Sequence, residues 1–299
     1  MSKEKNGVTE KRRRRWGDRS DGRRLRSLSP MSRVAVYIMP NRIGALNCIR
    51  DTVDVSEADK YIRQKKAEGL KNFNFMHVII GAYVRCVSQL PALNRFIAGR
   101  EVFARNNVEV SLTIKKEMKL ESPDTVIKIE VPAGATSDDI YRILSDEIDD
   151  YRNDPGGSFD KTAKILSKMP GLIMALAMRV IRFADYFGWL PKKLTKLSPF
   201  HSSMFITSMG SLGIPTIFHH LYDLGNCPVF ISFGAKERKL QINADGQIEK
   251  KETIDFTVTM DERICDGYYF ARALKKMRHL LRDPWQLDSP PEEVFEDID

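Results

Sequence analysis

The chain has 299 residues, 42% of them hydrophobic, and a formal net charge of +8, enough to bury one large core or two modest ones. Four scattered cysteines (Cys48, Cys86, Cys227, Cys265) lack Cys-x-x-Cys spacing, which argues against a zinc site or a disulfide framework and for reduced thiols in a cytoplasmic protein. The basic N-terminus has no apolar segment and so is no secretory signal, and no run of about 18 apolar residues is present to span a membrane.

Charge is concentrated at the ends. Residues 1 to 27 carry eleven Lys or Arg against four acids, whereas residues 283 to 299 carry seven acids and no base. Residues 1–29, with Lys11 to Arg15 and almost nothing to bury, read as a disordered basic arm suited to nucleic acid, an anionic membrane or an acidic partner. A plain solubilising tail is the bland alternative. From Pro30 the pattern becomes that of a folded domain, expected to run over 30–285 and to be followed by an acidic tail at 286–299. Cys48 to Val55 alternates like a strand, and Ser56 with Asp59 predicts a capped helix start. Phe75 to Leu90 is apolar nearly all round, a core helix ended by Pro91, with His77 expected to pack or cap at its start. Thr125 to Val131 alternates as a half-buried strand. Thr136 to Asp139 then opens an amphipathic helix whose buried stripe is Ile140, Ile143, Leu144 and Ile148.

Residues 158–200 read as a helical insertion. Leu172 to Met178 is wholly apolar but too short to cross a bilayer. It could lie on a membrane surface, cover an acyl-chain pocket or pack on a neighbouring subunit, and a hairpin closing over the domain's own core is the plain expectation. Asp245-Gly246 marks a hairpin turn. Phe256 to Met260 has strand period, the acidic stretch Asp261-Glu262-Arg263-Ile264-Cys265-Asp266-Gly267 breaks it, and Phe270, Leu274, Met277 and Leu281 recur at helical spacing.

That stretch resembles the Asp-His-Arg-x-x-Asp-Gly signature of the 2-oxoacid dehydrogenase acyltransferase (dihydrolipoyl acyltransferase) family, with Glu262 at the histidine's position. His201 to Gly213 resembles the family's Phe-Thr-x-Ser-Asn-x-Gly-x-x-Gly segment, a strand running into a glycine-rich turn, with Met209 where asparagine is usual. Pro228 to Gly234 resembles its next core strand, Leu90 to Asn94 its Pro-x-Leu-Asn, and Val102 to Ile114 the strand pair after it. The matches extend over roughly residues 30 to 285 and are thin at 158–200. The resemblance implies an α+β fold, a two-layer mixed β-sheet with helices of the chloramphenicol acetyltransferase type, and a homotrimer with sites between subunits. It also implies coenzyme A or acyl-coenzyme A as substrate. The family carries a lipoyl domain upstream, for which the 29-residue arm has no room, so the expectation is no covalent lipoyl group and an acceptor that is a small molecule or a carrier on another protein, with no metal.

Within that resemblance, Ser211, with Ser208 second, matches the hydroxyl that steadies the oxyanion. Asp266 matches an aspartate that accepts an arginine, Arg263 or Arg33 here, and Gly267 is expected to permit the tight strand-to-helix turn. Glu262 is a poor substitute for the base: a carboxylate taking a proton from a thiol is uphill by about 5.7 kcal/mol against about 2.7 for imidazole. His219 and His220 are the nearest alternative imidazoles, and as a metal pair they lack a third ligand with supporting spacing. The reading is a stand-alone coenzyme A-dependent acyltransferase homologue with an altered or lost active site. The alternative is a non-catalytic oligomeric scaffold that binds a membrane surface or an acidic partner through its basic arm and apolar insertion, cytoplasmic in either case and peripheral to the membrane in the second.

Overall fold

A computed structural model describes residues 14–115, 124–153, 164, 166–242 and 245–299. In chain order the elements are β1 (Gly22–Arg24), α1 (Pro30–Ile38), β2 (Leu46–Asp54), α2 (Ser56–Ala67), α3 (Phe75–Gln89), β3 (Arg95–Ala98), β4 (Glu101–Arg105), β5 (Val108–Lys115), β6 (Asp124–Val131) and α4 (Ser137–Asn153). They continue with α5 (Gly171–Tyr186), α6 (Lys192–Leu197), β7 (Met204–Ser208), β8 (Val229–Ile242), β9 (Ile248–Asp261) and α7 (Gly267–Arg282).

Six strands form a mixed sheet in the order β2-β9-β8-β7-β5-β6, in which β5, β7 and β8 are parallel and the other pairings antiparallel. A small antiparallel sheet, β1-β4-β3, sits beside it. The expected α+β, two-layer mixed sheet is therefore present, and strand alternation explains its layers. Ile254, Phe256, Val258 and Met260 of β9 face the main core with α2, α3, α4 and α7, while Asp255, Thr257, Thr259 and Asp261 face the other side. Helix α3 is buried on nearly every side. Its capping box joins Asn74 and His77: the Asn74 N–H donates to His77 Nδ1, and burial pushes that imidazole down to about 4. His77 is thus both packed and capping. At α2 the cap is Val55 instead of Ser56, and the Asp54 carboxylate accepts the Ser56 N–H.

The ends of the chain depart from expectation. Residues 1–13 lie outside the described residues, but 14–29 are folded onto the body, with Leu25 and Leu28 buried. Their arginines are engaged within the chain. Arg19 pairs with Asp21 and Asp185, Arg24 with Glu101, Arg26 with Asp18, and Arg15 with Asp299. Arg23 donates to the carbonyls of Asp297 and Ile298. The acidic tail is the partner: the N–H groups of Arg26 and Ser27 donate to the Asp299 carbonyl, and the Asp297 carboxylate receives a two-pronged contact from Arg95 at 2.6 Å. Opposite charges at the two ends attract, and pairing them with the body removes residues 14–29 from the free arm expected for nucleic acid or lipid.

The insertion is helical, but α5 does not close over the core. Only Asp185 of this helix is buried. Its carboxylate lies 2.6 Å from Arg19 Nη2 and 3.2 Å from Nε2 of His201, which pins the C-terminal end of α5 to the body. Burial alone would raise Asp185, but the His201 ring and the Arg19 guanidinium hold it at about 2 instead of 3.8. A depressed carboxylate stabilises the fold above its unfolded value and ceases to do so as pH falls through its folded value. Asp185→Asn should therefore lower unfolding free energy by about 2 kcal/mol at neutral pH. In urea melts repeated down the pH scale, the gap to the parent should shrink toward pH 2.

Candidate functional site

Strand β9 ends at Asp261, whose side chain lies on the sheet face away from the helices. A short 3-10 turn, Glu262–Ile264, follows, and the Asp266 carboxylate then caps α7 by accepting the Tyr269 N–H at 2.8 Å. Asp261 is 1% exposed and organises the turn. It accepts the backbone N–H of Arg263 at 3.1 Å and that residue's Nε and Nη2 at 2.8 and 2.7 Å. Arg42 Nε lies 3.9 Å away. Arg263 also donates to the Met39 carbonyl at the end of α1, and Arg42 donates to the carbonyls of Tyr222 and Gly225. One carboxylate thus joins β9, α1 and the 222–225 loop, and it holds Glu262 outward, exposed to solvent.

Two expectations change here. The arginine expected on Asp266 is on Asp261, because Asp266 is used as the helix cap, and Arg33 donates to the Arg26 carbonyl instead. Gly267 is not needed for a left-handed turn: it is the first residue of α7, and a Cβ there would meet nothing within 4 Å. Cys265, inside the turn, is pushed up to about 12 by burial and packs against the Met260 sulfur, so it is an inert core thiol.

Ser208 and Ser211 stand elsewhere. β7 runs parallel to β8 with Ser208 opposite Phe233, whereas the Asp261 N–H donates to the Pro228 carbonyl at the start of β8. Four or five strand residues separate the two places, roughly 15 Å, so a single chain does not bring Ser211 to Glu262. The serine turn is seated by close backbone contact. A Cβ on Gly210 would lie 2.6 Å from the Gly234 carbonyl oxygen, and one on Gly234 would lie 2.6 Å from the Thr216 nitrogen. Within the turn, the Ser211 hydroxyl donates to the Ser208 carbonyl at 2.9 Å, and its N–H donates to the Ser208 hydroxyl at 3.3 Å. Ser211 itself is exposed.

From that turn the chain doubles back over the outer face of the sheet. The Ala235 N–H donates to the Ile214 carbonyl, Thr216 Oγ1 donates to the Ser232 carbonyl, and the His219 ring stacks on Phe230 with centroids 3.8 Å apart. Phe230 lies opposite Thr259, two residues before Asp261. His219 and His220 consequently occupy the same end and face as the Glu262 turn. The His219 Nδ1 meets the His220 carbonyl at 2.8 Å; a carbonyl only accepts, so Nδ1 carries the proton and Nε2 the lone pair. Burial pushes this imidazole below its ordinary value, the bond to the His220 carbonyl only partly opposing it, which favours the neutral ring. His220 is exposed. Sequence reasoning missed Asp261 and Arg42 as the groups that hold the site. The alternation of β9 placed Asp261 on the polar face and was the available signal; Arg42 is distant in sequence and carried none. Among the described residues no group of three or more His, Cys, Asp or Glu could hold a metal ion.

Residues 192–288, which include both turns, match the family model for 2-oxoacid dehydrogenases acyltransferase (catalytic domain). No curated protein sequence matches the chain. The fold is that of the acyltransferase cores. A probable dihydrolipoamide acetyltransferase from Listeria monocytogenes is similar at TM-score 0.53 and 14% identity, over 90% of this chain and 99% of the other. The Azotobacter vinelandii dihydrolipoamide acetyltransferase, in which a serine, a histidine and an asparagine were investigated for their roles in the catalytic mechanism, aligns at TM-score 0.51 and 14% identity over 88% and 93%. A truncated catalytic core of the Thermoplasma acidophilum 2-oxoacid dehydrogenase multienzyme complex aligns at TM-score 0.50 and 14% identity over 87% and 98%.

The two neighbouring acids of the turn should respond oppositely to mutation. Asp261→Ala leaves two buried guanidinium groups uncompensated and should cost about 3–5 kcal/mol in chemical denaturation. Glu262→Gln should stay within about 0.5 kcal/mol of the parent.

Proposed function

We propose that this protein is a coenzyme A-dependent acyltransferase homologue with an altered centre, assembled as a trimer in which one subunit's serine turn meets another's Glu262 turn. The observation that carries this reading is the preserved turn at the end of β9. Asp261 and Arg263 build the scaffold on which the resembling enzymes present a base, and Glu262 stands outward at that position. The separation of Ser211 from Glu262 along β8 supports a site completed by a neighbour. So do the exposed apolar groups at both places: Leu212 and Ile214 beside the serine turn, and Tyr37, Ile38 and Tyr268 beside the other.

In this reading, the base removes the acceptor's proton, and the acceptor sulfur or oxygen attacks the thioester carbonyl of acyl-coenzyme A to give a tetrahedral oxyanion. Its collapse breaks the C–S bond, coenzyme A leaving as a thiol that takes the proton back from the base. The Ser211 hydroxyl, with Ser208 behind it, serves the oxyanion. Glu262, or the imidazole of His220 or His219 at the same sheet end, takes the proton, and Asp261 acts as a positioning residue. The Azotobacter enzyme's histidine and asparagine are four positions apart, as Glu262 and Asp266 are here.

The second reading is a scaffold that has lost catalysis and binds a membrane surface or an acidic partner. The carboxylate at the base position and the exposed apolar face of α5 favour it.

Acyl-coenzyme A and a free-thiol reporter separate the two. On the first reading the protein turns over, and Ser211→Ala or His220→Ala lowers kcat by about a hundredfold or more. Absence of coenzyme A binding by calorimetry, or a monomer in sedimentation, overturns it.

A further inference from the structure

Helix α5 presents Leu172, Leu176, Val180 and Phe183 at intervals of four, four and three, a single stripe along its outer side, with Phe187 and Trp189 continuing it beyond the helix. This stripe faces away from the body: Leu172 is 88% exposed, Leu176 62% and Trp189 67%. Met174, Met178 and Ile181 lie half-buried on the other side. At sixteen residues the helix is about 24 Å long, short of a bilayer's hydrocarbon thickness, and no helix of the described residues is long and apolar enough to cross a membrane.

The charge around the stripe selects its occupant. Residues 166–200 contain six Lys or Arg and one acid, Asp185. That acid is consumed by Arg19 and His201. Arg179 and Arg182 flank the stripe on α5, and Lys192, Lys193 and Lys196 stand exposed on the adjoining α6. A second copy docked on this face would bring like charges together as the apolar surface closed. An anionic lipid surface satisfies both features, because acyl chains take the stripe while headgroups take the cations. The aromatic group at the end of the helix, where Phe187 and Trp189 stack with centroids 4.9 Å apart, suits the headgroup level.

We infer that α5 and α6 form an interfacial membrane-docking surface, with α5 lying in the plane of an anionic bilayer and Asp185 fixing it to the domain. This supplies the surface that the scaffold reading requires, and it holds equally for an active enzyme.

Flotation of the full chain with phosphatidylcholine vesicles, with and without phosphatidylglycerol, tests it. Binding is expected with the anionic vesicles, weakening as salt is raised. It should fall by about tenfold or more in Leu176→Glu/Phe183→Glu and also fall in Lys192→Glu/Lys193→Glu, with melting temperatures unchanged. Failure of the parent to float with anionic vesicles overturns the inference, and an acidic protein would then be the partner to seek. Parent-like flotation of the Leu176→Glu/Phe183→Glu variant also overturns it, as does equal binding to both vesicle types. A change in that variant's oligomeric mass without vesicle binding by the parent would reassign the face to subunit contact. Turnover measured on the same samples reports on acyl transfer separately, so the two readings fail independently.

Discussion

The carboxylate of Asp261 is the constraint on which the candidate site depends. It is almost wholly buried and balances the Arg263 guanidinium beside it with that of Arg42 close by. In so doing it ties the end of the longest buried strand to α1 and to the loop after the two histidines. A buried ion cluster of this kind contributes little net stability over an apolar packing of the same volume, but removing one member leaves charge stranded. Its consequence here is geometric. The turn cannot relax, so residue 262 is presented outward on a rigid base whatever side chain it carries.

The fate of the other charges follows from the same electrostatics. Eleven cations near one terminus and seven acids at the other look like independent solvated tails in a linear reading. In the folded chain, residues 14–29 and the last residues run side by side, and Arg95 and Arg19 anchor them to the body through Asp297 and Asp185. Arg179, Arg182, Lys192, Lys193 and Lys196 of α5 and α6 stand exposed beside apolar surface, and no acid among the described residues forms an ion pair with them. Electropositive surface therefore coincides with the apolar helix, and the described part of the arm is spent on its own chain.

The two turns recognisable in the sequence sit four or five residues apart along β8, the Glu262 turn at its start and the serine turn beside Phe233, a separation fixed by the parallel pairing of β7 with β8 and the antiparallel pairing of β8 with β9. The chain then returns across the sheet as a strap that delivers His219 and His220 to the Glu262 end. A site that combined the serine turn with Glu262 would lie between copies of this chain, whereas the His219 ring, stacked on Phe230, lies toward the Glu262 end of the sheet within a single copy.

Local chemistry was enough to read most of the strands and helices of the domain, because alternation, helical spacing and capping residues act over a few residues, while the mixed α+β class and the two turns were legible through the family resemblance of their motifs. Asp261 could have been read from the phase of β9, since every second residue from Asp255 is polar and faces one side. The pairings that decide the site are long-range and depend on the fold: Arg42 with Asp261, Asp185 with Arg19 and His201, and the terminal acids with the terminal bases. No local pattern encodes which of many charged side chains will share a buried position. Only the tertiary structure decided that Asp266 would cap a helix while Asp261 took the arginine, that residues 14–29 would pair with acids and carbonyls of their own chain, and that the apolar helix would be left facing outward.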